Sequence, residues 1–186
     1  MPELYGGIHA FAFLYQGDEV SPETVVARLQ DYVDPNAGPV FFAGLFEGDF
    51  RGFVHFAADD PGALGDFIDG PLWDAGIRSH HVGEAKVYGG LRGPKGPTRR
   101  TPRFIAICRI FVNRPPIQVM RNIAVSFNED LPFVGAATVI AGFHLLVELG
   151  DDDRQALNVH LASLSEIEGV RDVEAAVTET GPDQAA

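Results

Sequence analysis

The feature that most constrains this chain is that it repeats itself. Ala63-Leu64 and Ala156-Leu157 each follow an acidic pair, Asp59-Asp60 in one case and Asp152-Asp153 in the other. At that spacing of 93 residues (Ala63 to Ala156), Ala43 meets Ala136, Phe50 meets Phe143, Val54 meets Val147, Gly76 meets Gly169 and Arg78 meets Arg171. Type matches such as Phe46 with Val139 and Phe56 with Leu149 extend the pattern without a gap from about residue 43 to 87. Upstream the register shifts by about three residues, where the first helix is expected to be shorter in the second copy. An internal repeat of this length calls for one folding unit used twice.

Each copy spells the same order of elements. His9 to Tyr15 and Phe104 to Val112 are apolar, aromatic-rich runs of strand length. Ser21-Pro22-Glu23 offers an N-cap, a proline at the first helical position and an acidic first turn, with Val25, Val26, Leu29 and Tyr32 as the buried stripe. Pro115-Pro116 opens the matching helix, carrying Val119, Ile123 and Phe127 at four-residue spacing. Two strands follow in each copy, Val40 to Phe46 with Arg51 to Ala57, and Phe133 to Val139 with Phe143 to Leu149. Gly48-Asp49 and Ala141-Gly142 supply the tight turns between them. Asp60-Pro61 and Asp151 to Asp153 cap a second helix, and a last strand runs over His80 to Tyr88 or Val173 to Glu179. Trp73 is expected to pack beneath the late turn.

The order βαββαβ, twice, is the ferredoxin-like plan, an α+β fold. The repeats take residues 1–88 and 104–180, joined by a basic, Pro/Gly-rich linker over 89–103, with 181–186 as a disordered tail. In such a unit the helices cover one face of the sheet, and the other face needs a cover of its own. The two sheets can pair within one chain as a dimeric α/β barrel, or the face can meet a second chain. Both arrangements remain open, and some form of homo-oligomer is expected.

Charge restricts the partners. With 26 acidic residues against 14 basic, the formal charge is −12, which repels duplex nucleic acid over most of the surface. The linker Gly89 to Arg103 is the exception, holding Arg92, Lys95, Arg99, Arg100 and Arg103 with no acid among them. It reads either as a solvated connector or as a grip for a phosphate or an acidic partner. No apolar run approaches the roughly 20 residues that span a bilayer, so no membrane role is expected. The lone cysteine, Cys108, fits a reducing, cytoplasmic setting.

Gly48-Asp49-Phe50 followed by Ala58-Asp59-Asp60, and Ala141-Gly142-Phe143 followed by Asp151 to Asp153 and Glu168-Gly169-Val170, resemble the effector-binding domain of Lrp/AsnC-type regulators. The resemblance covers nearly the whole chain, although only about seven residues precede Ile8 and no helix-turn-helix is expected there. It implies a regulatory module for a small, amino-acid-like molecule, acting as an oligomer or as a partner of a larger regulator. Its site would lie near the hairpin turns, at Gly48, Asp49 and Gly142. Folds built from this same unit also include haem-dependent and cofactor-free oxygenases, so an oxidoreductase or monooxygenase is the second reading. No cofactor is expected on the first reading and haem is an option on the second.

The period of two along a strand sorts the polar residues by face. Phe50, Gly52, Val54 and Phe56, matched by Phe143, Leu145, Val147 and Leu149, belong to the helix-packed face. Arg51, Phe53 and His55, matched by His144, Leu146 and Glu148, lie on the other. Buried polar groups need partners, so Arg51, His55, His144 and Glu148 are either a structural network or a ligand site. As a site, Arg51 would fork a carboxylate and Glu148 would accept an ammonium. In the oxygenase reading His144 or His55 would be an axial ligand or base. His9 and His160 read as satisfied structural histidines, His80-His81 as a poor chelating pair, and Cys108 as a buried, inert thiol. No zinc-type spacing occurs, and Gly89-Gly90-Leu91-Arg92-Gly93 lacks the ending of a phosphate loop.

Overall fold

The computed structural model describes residues 3–4, 8–33, 39–78, 82–90, 102–127, 133–140 and 142–180. His80-His81 and most of the basic linker lie outside them. In chain order the strands and helices are β1 (Glu3–Leu4), β2 (Ile8–Leu14), α1 (Pro22–Leu29), β3 (Val40–Leu45), β4 (Glu47–Gly48), β5 (Gly52–Ala58), α2 (Pro61–Phe67), α3 (Trp73–Ala75) and β6 (Val82–Gly90). The second copy continues with β7 (Phe104–Val112), α4 (Pro116–Ser126), β8 (Phe133–Ile140), β9 (Leu145–Asp151), α5 (Arg154–Leu164) and β10 (Val170–Glu179). Two compact units result, residues 6–86 and residues 87–186 together with 1–5. Strand β1 belongs to the second because it pairs with the far end of β6, Glu3 against Gly90.

Each unit has the same antiparallel sheet. The order is β3-β5-β2-β6 in the first unit and β8-β9-β7-β10 in the second. In both, the first strand of the repeat is central, flanked by the third and the last, which is the ferredoxin-like arrangement. In the first unit Ala10, Ala12, Leu14, Val54 and Phe56 form a core with Val25 and Leu29 of α1 and Leu64 and Phe67 of α2. In the second, Ala106, Cys108, Ile110, Leu145 and Val147 do so with Val119 and Ile123 of α4 and Leu157 and Leu164 of α5. Phe50 and Phe143, expected on the same face, stand outside both cores, Phe50 against Phe13 and Phe46 and Phe143 beneath the Arg109 guanidinium.

The repeat extends to single hydrogen bonds at the hairpins and second helices. The amide of Phe46 donates to the Arg51 carbonyl at 2.9 Å, and that of Val139 to the His144 carbonyl at 3.0 Å. The Arg51 amide donates to Leu14 O at 2.7 Å and the His144 amide to Ile110 O at 3.1 Å. That last pair moves the offset to 96 residues (Leu14 to Ile110), the upstream shift read from the sequence, but not for the expected reason: α4, at 11 residues, is longer than α1, at 8, so the shortening lies outside the helix. Asp60 caps α2 by accepting from the Gly62 and Ala63 amides, and Asp153 caps α5 by accepting from those of Gln155 and Ala156. Such a cap stabilises a helix by about 1 kcal/mol. Gly76 and Gly169 both adopt positive φ, +109° and +95°, and a Cβ on either would come within 2.7 Å of Val20 or Val119. Only glycine fits both demands.

Local chemistry accounts for the exceptions. Ser21 caps α1 as expected, accepting from the Thr24 amide, but the helix tightens into a 3₁₀ turn at Gln30–Tyr32 and leaves Tyr32 41% exposed. Pro71 cannot donate to a helical ladder, and Ile68–Leu72 around it is a π-helical turn between α2 and α3. That turn carries Trp73 outward. It is 51% exposed rather than packed beneath the late turn, with the Arg78 guanidinium 4.2 Å above its ring. Among the described residues, no helix is long and apolar enough to cross a membrane.

Candidate functional site

Three polar residues are buried among those described: His9, His55 and Glu148. All three stand on the helix-free face of their own sheet, because their strand neighbours Ala10, Val54, Phe56, Val147 and Leu149 belong to the helix-packed cores. His55 and Glu148 are equivalent positions of the repeat, as the alternation of residues implies.

Their surroundings differ. In the first unit His9 Nδ1 lies 2.9 Å from His55 Nε2. Phe41 stacks on the His55 ring at 5.2 Å and 21°, and the Phe11 ring lies 4.9 Å away. A bulge in β3 between Val40 and Phe42 sets Phe42 opposite His55 across the strands. Burial, and the adjacent His9 second, hold His55 down to about 3, so it is a neutral imidazole.

In the second unit the same positions are aliphatic. Glu148 pairs with Ile107 on β7 and with Gly135 on β8, and the β8 bulge between Phe133 and Gly135 matches the one in β3. Ile105, Ile107, Val134, Gly135 and Leu146 stand where the first repeat has His9, Phe11, Phe41, Phe42 and Phe53. Burial pushes the Glu148 carboxyl up to about 7, and no hydrogen bond reaches it from the described residues. Burial also pushes the Cys108 thiol up, with Glu148 a second cause. That thiol faces the helix-packed core and is inert.

The other expected site residues are scattered along these elements. Gly48 and Asp49 are exposed at the first hairpin, where Gly48 has φ +147°. Arg51 is half-buried at the start of β5. Gly142 is exposed at the second hairpin, and His144 is half-buried beside it. Gly48, Asp49, Arg51 and His55 belong to the first unit, and Gly142, His144 and Glu148 to the second. His144 is engaged by the backbone, since its Nδ1 accepts from the Val112 amide at 3.2 Å.

His9, read from the sequence as a satisfied structural histidine, is the hydrogen-bond partner of His55, and one further residue was not singled out from the sequence. Arg109 lies on the helix-free side of β7, with its guanidinium 2.9 Å from the Glu174 carboxylate and 4.9 Å from the centre of the Phe143 ring. The alternation of Ile105, Ile107, Arg109 and Phe111 with Ala106, Cys108 and Ile110 was the signal that could have found it.

Neither His55 nor His144 suits haem. Iron takes an imidazole nitrogen with a free lone pair. The Nδ1 lone pair of His144 is used by a backbone amide, so its neutral ring carries the proton on Nε2 and offers the metal nothing there. His55 Nε2 faces His9, and its ring packs against Phe41 and Phe11. Among the described residues, no group of three or more His, Cys, Asp or Glu could hold a metal ion.

Comparison with known proteins agrees on the fold. No family model and no curated protein matches the chain. Among solved structures, that of a mutant chlorite dismutase from Candidatus Nitrospira defluvii is similar, with a TM-score of 0.52 and 9% sequence identity. The match covers 97% of this chain and 94% of that one, and at such identity what it establishes is a shared ferredoxin-like fold.

Proposed function

We propose that this chain is an enzyme, a cofactor-free oxidoreductase of the dimeric α/β-barrel kind, in which Glu148 is the proton-transfer group. The observation that carries the reading is Glu148 itself, a buried carboxyl that changes charge near pH 7 and lacks a donor among the described residues. General acid–base catalysis is most effective when the group's pKa lies near the working pH. Leaving a buried acid unpaired costs stability, and such costs concentrate at functional sites. The likeness of nearly the whole chain to an enzyme supports this choice over the effector-binding module, at the level of fold analogy.

The chemistry can be written with the chain's own residues and dioxygen. The Glu148 carboxylate takes a proton from an activated CH₂ group of the substrate, and the carbanion forms a C–O bond to dioxygen. Carbon is oxidised and oxygen reduced to the peroxide level. The carboxylic acid then returns its proton to the terminal oxygen. Loss of water from the hydroperoxide, with the second C–H proton, leaves a carbonyl, so one oxygen atom ends in the product and one in water.

An oxygen electrode tests this, with a panel of 1,3-diketones and ring-bearing carbon acids and with haemin added or omitted. Uptake is expected with at least one carbon acid, indifferent to haemin and at least a hundredfold slower in Glu148→Gln. Uptake only with haemin, accompanied by a visible absorption band, would replace this reading with the haem enzyme. Silence on the panel together with a thermal shift by one amino acid would replace it with the sensor.

A further inference from the structure

We infer that this chain associates with copies of itself head to tail, the helix layer of the second unit docking on the helix layer of the first unit of another copy. The repeat exposes the signal. Pro22 and Pro116 open α1 and α4, and at that spacing of 94 residues the core positions Val25 and Leu29 meet Val119 and Ile123. Glu23 then falls on Ile117, and Asp31 on Val125. At the spacing of 93 that joins the caps Asp60 and Asp153, Asp66 falls on Val159. Ile117, Val125 and Val159 are 56%, 77% and 63% exposed, and each stands where the first repeat has an exposed acid. Single exposed apolar residues are ordinary on a protein surface. Three that replace three acids in one layer are a pattern that a docking partner accounts for.

Charge identifies the occupant. Ile117, Arg121 and Val125 are spaced by four and share one stripe of α4. The end of that helix approaches α5 where Phe127 meets His160 at 6.1 Å, beside Val125 and Val159 in the chain. Neither α4 nor α5 contains an acidic residue. Acids stand about their ends: Asp151 to Asp153 before α5, Glu166 and Glu168 after it, and Glu129 and Asp130 after α4, these last two outside the described residues. In the middle of the stripe Arg121 is exposed and has no partner among the described residues. The first unit's helix layer is the complement. Glu23, Asp31, Asp66, Asp69 and Asp74 are exposed and make no ion pair among the described residues. Its arginines are engaged, Arg28 with the Asp74 and Ala75 carbonyls and Arg78 with Glu19. Among those acids stand two exposed rings, Trp73 and Tyr32, the latter edge-on to Phe67 at 6.1 Å. Two first-unit layers would set acid against acid, and two second-unit layers would give Arg121 no counter-charge from the facing helices. Unlike layers bring Arg121 to the carboxylates and the aliphatics to Trp73 and Tyr32, the residue types that anchor interfaces. The contact is heterologous, so a dimer keeps one unused layer of each kind.

Sedimentation velocity of the full chain over a range of concentrations tests this, independently of the chemistry assigned to Glu148. Reversible self-association is expected, weaker in high salt than in low because the ion pairs are screened. Giving the second unit the first unit's own acids, Val125→Asp with Val159→Asp, should weaken association about tenfold or more. The first repeat carries acids at both places, so the fold accepts them there. Trp73→Ala with Asp69→Lys should weaken it about as much from the other layer. An equimolar mixture of these two double variants should form dimers and nothing larger, since one intact layer of each kind remains. Should either double variant fold poorly by its melting temperature, Arg121→Glu and Asp31→Lys replace it in the same scheme. A parent chain that stays monomeric at the highest concentration reached would overturn the proposal, as would a mixture that stays monomeric. Loss confined to the second-unit variants would overturn it too, and would make α4 and α5 a like-with-like contact.

Discussion

In the first repeat the imidazole of His55 meets His9 at 2.9 Å and lies among phenylalanine rings. In the second, the carboxyl at the same position is flanked by Ile107 and Gly135 and meets no donor among the described residues. Strand register beside the two residues, the caps at Asp60 and Asp153 and the hairpin hydrogen bonds are shared, so around these two residues the difference lies in side chains. The first copy has satisfied its polar group and filled the space around it, which is how a structural histidine looks. The second leaves an acid beside a glycine with no donor among the described residues. Fold similarity cannot separate these two halves, because they have the same fold. The environment of one residue in each can.

The strongest way to break this contrast is to exchange the roles. Glu148→Gln should lower turnover by about 10²–10⁴-fold, the usual contribution of a general acid–base group. His55→Gln should leave turnover within about twofold. Comparable losses in both variants, measured by oxygen uptake, would mean that the first repeat is part of the chemistry.

Stability against pH tests the same contrast from both sides. A carboxyl raised from 4.5 to about 7 in the fold contributes stability below pH 4.5 that is lost as the pH climbs through 7, roughly 3 kcal/mol in all. An imidazole lowered from 6.5 to about 3 contributes stability above pH 6.5 that is lost as the pH falls through 3. Between pH 4.5 and 6.5 the two slopes oppose each other. Urea midpoints should therefore be nearly flat with respect to these groups in the parent protein, rise with pH in Glu148→Gln and fall with pH in His55→Gln. Parallel curves for all three proteins would remove the electrostatic basis of the comparison.

A gentler change gives Glu148 the partner that its counterpart has. Ile105 occupies the place of His9, and Ile105→His should lower the Glu148 pKa by about one to three units, as a nearby cation or donor does. Carboxyl NMR would read it, and an unmoved titration would show that the two positions are not equivalent in space. The smallest expected effect is at Cys108. Cys108→Ala should change stability by about 1 kcal/mol and activity hardly at all, and the thiol should react with a disulfide reagent only after unfolding.

The repeat made most of the fold legible in advance. Caps at Ser21, Asp60 and Asp153, turns at Gly48 and Gly142, and alternation along β5 and β9 stated the elements and put His55 and Glu148 on one kind of face. Three features were hidden for physical reasons. His9 sits in Ile8–Leu14, a run apolar on both faces, so no alternation marks the side it takes. The bulges in β3 and β8 change the pairing register beside His55 and Glu148, and a two-residue period cannot announce where it breaks. Trp73 follows a π-helical turn around Pro71, which rotates it away from the face that a regular helix would give. The chemistry was less legible than the fold because a glutamate in a strand does not disclose whether a donor lies near it. Only its neighbours across the sheet say so.

Carrying both copies in one polypeptide has a genetic consequence. When two identical subunits meet, every substitution is made twice, and a residue useful on one side is imposed on the other. Here a codon change at 148 leaves codon 55 untouched, and one at 135 leaves codon 42 untouched. Selection could therefore close one half for durability and open the other for reactivity, at separate times and by separate mutations.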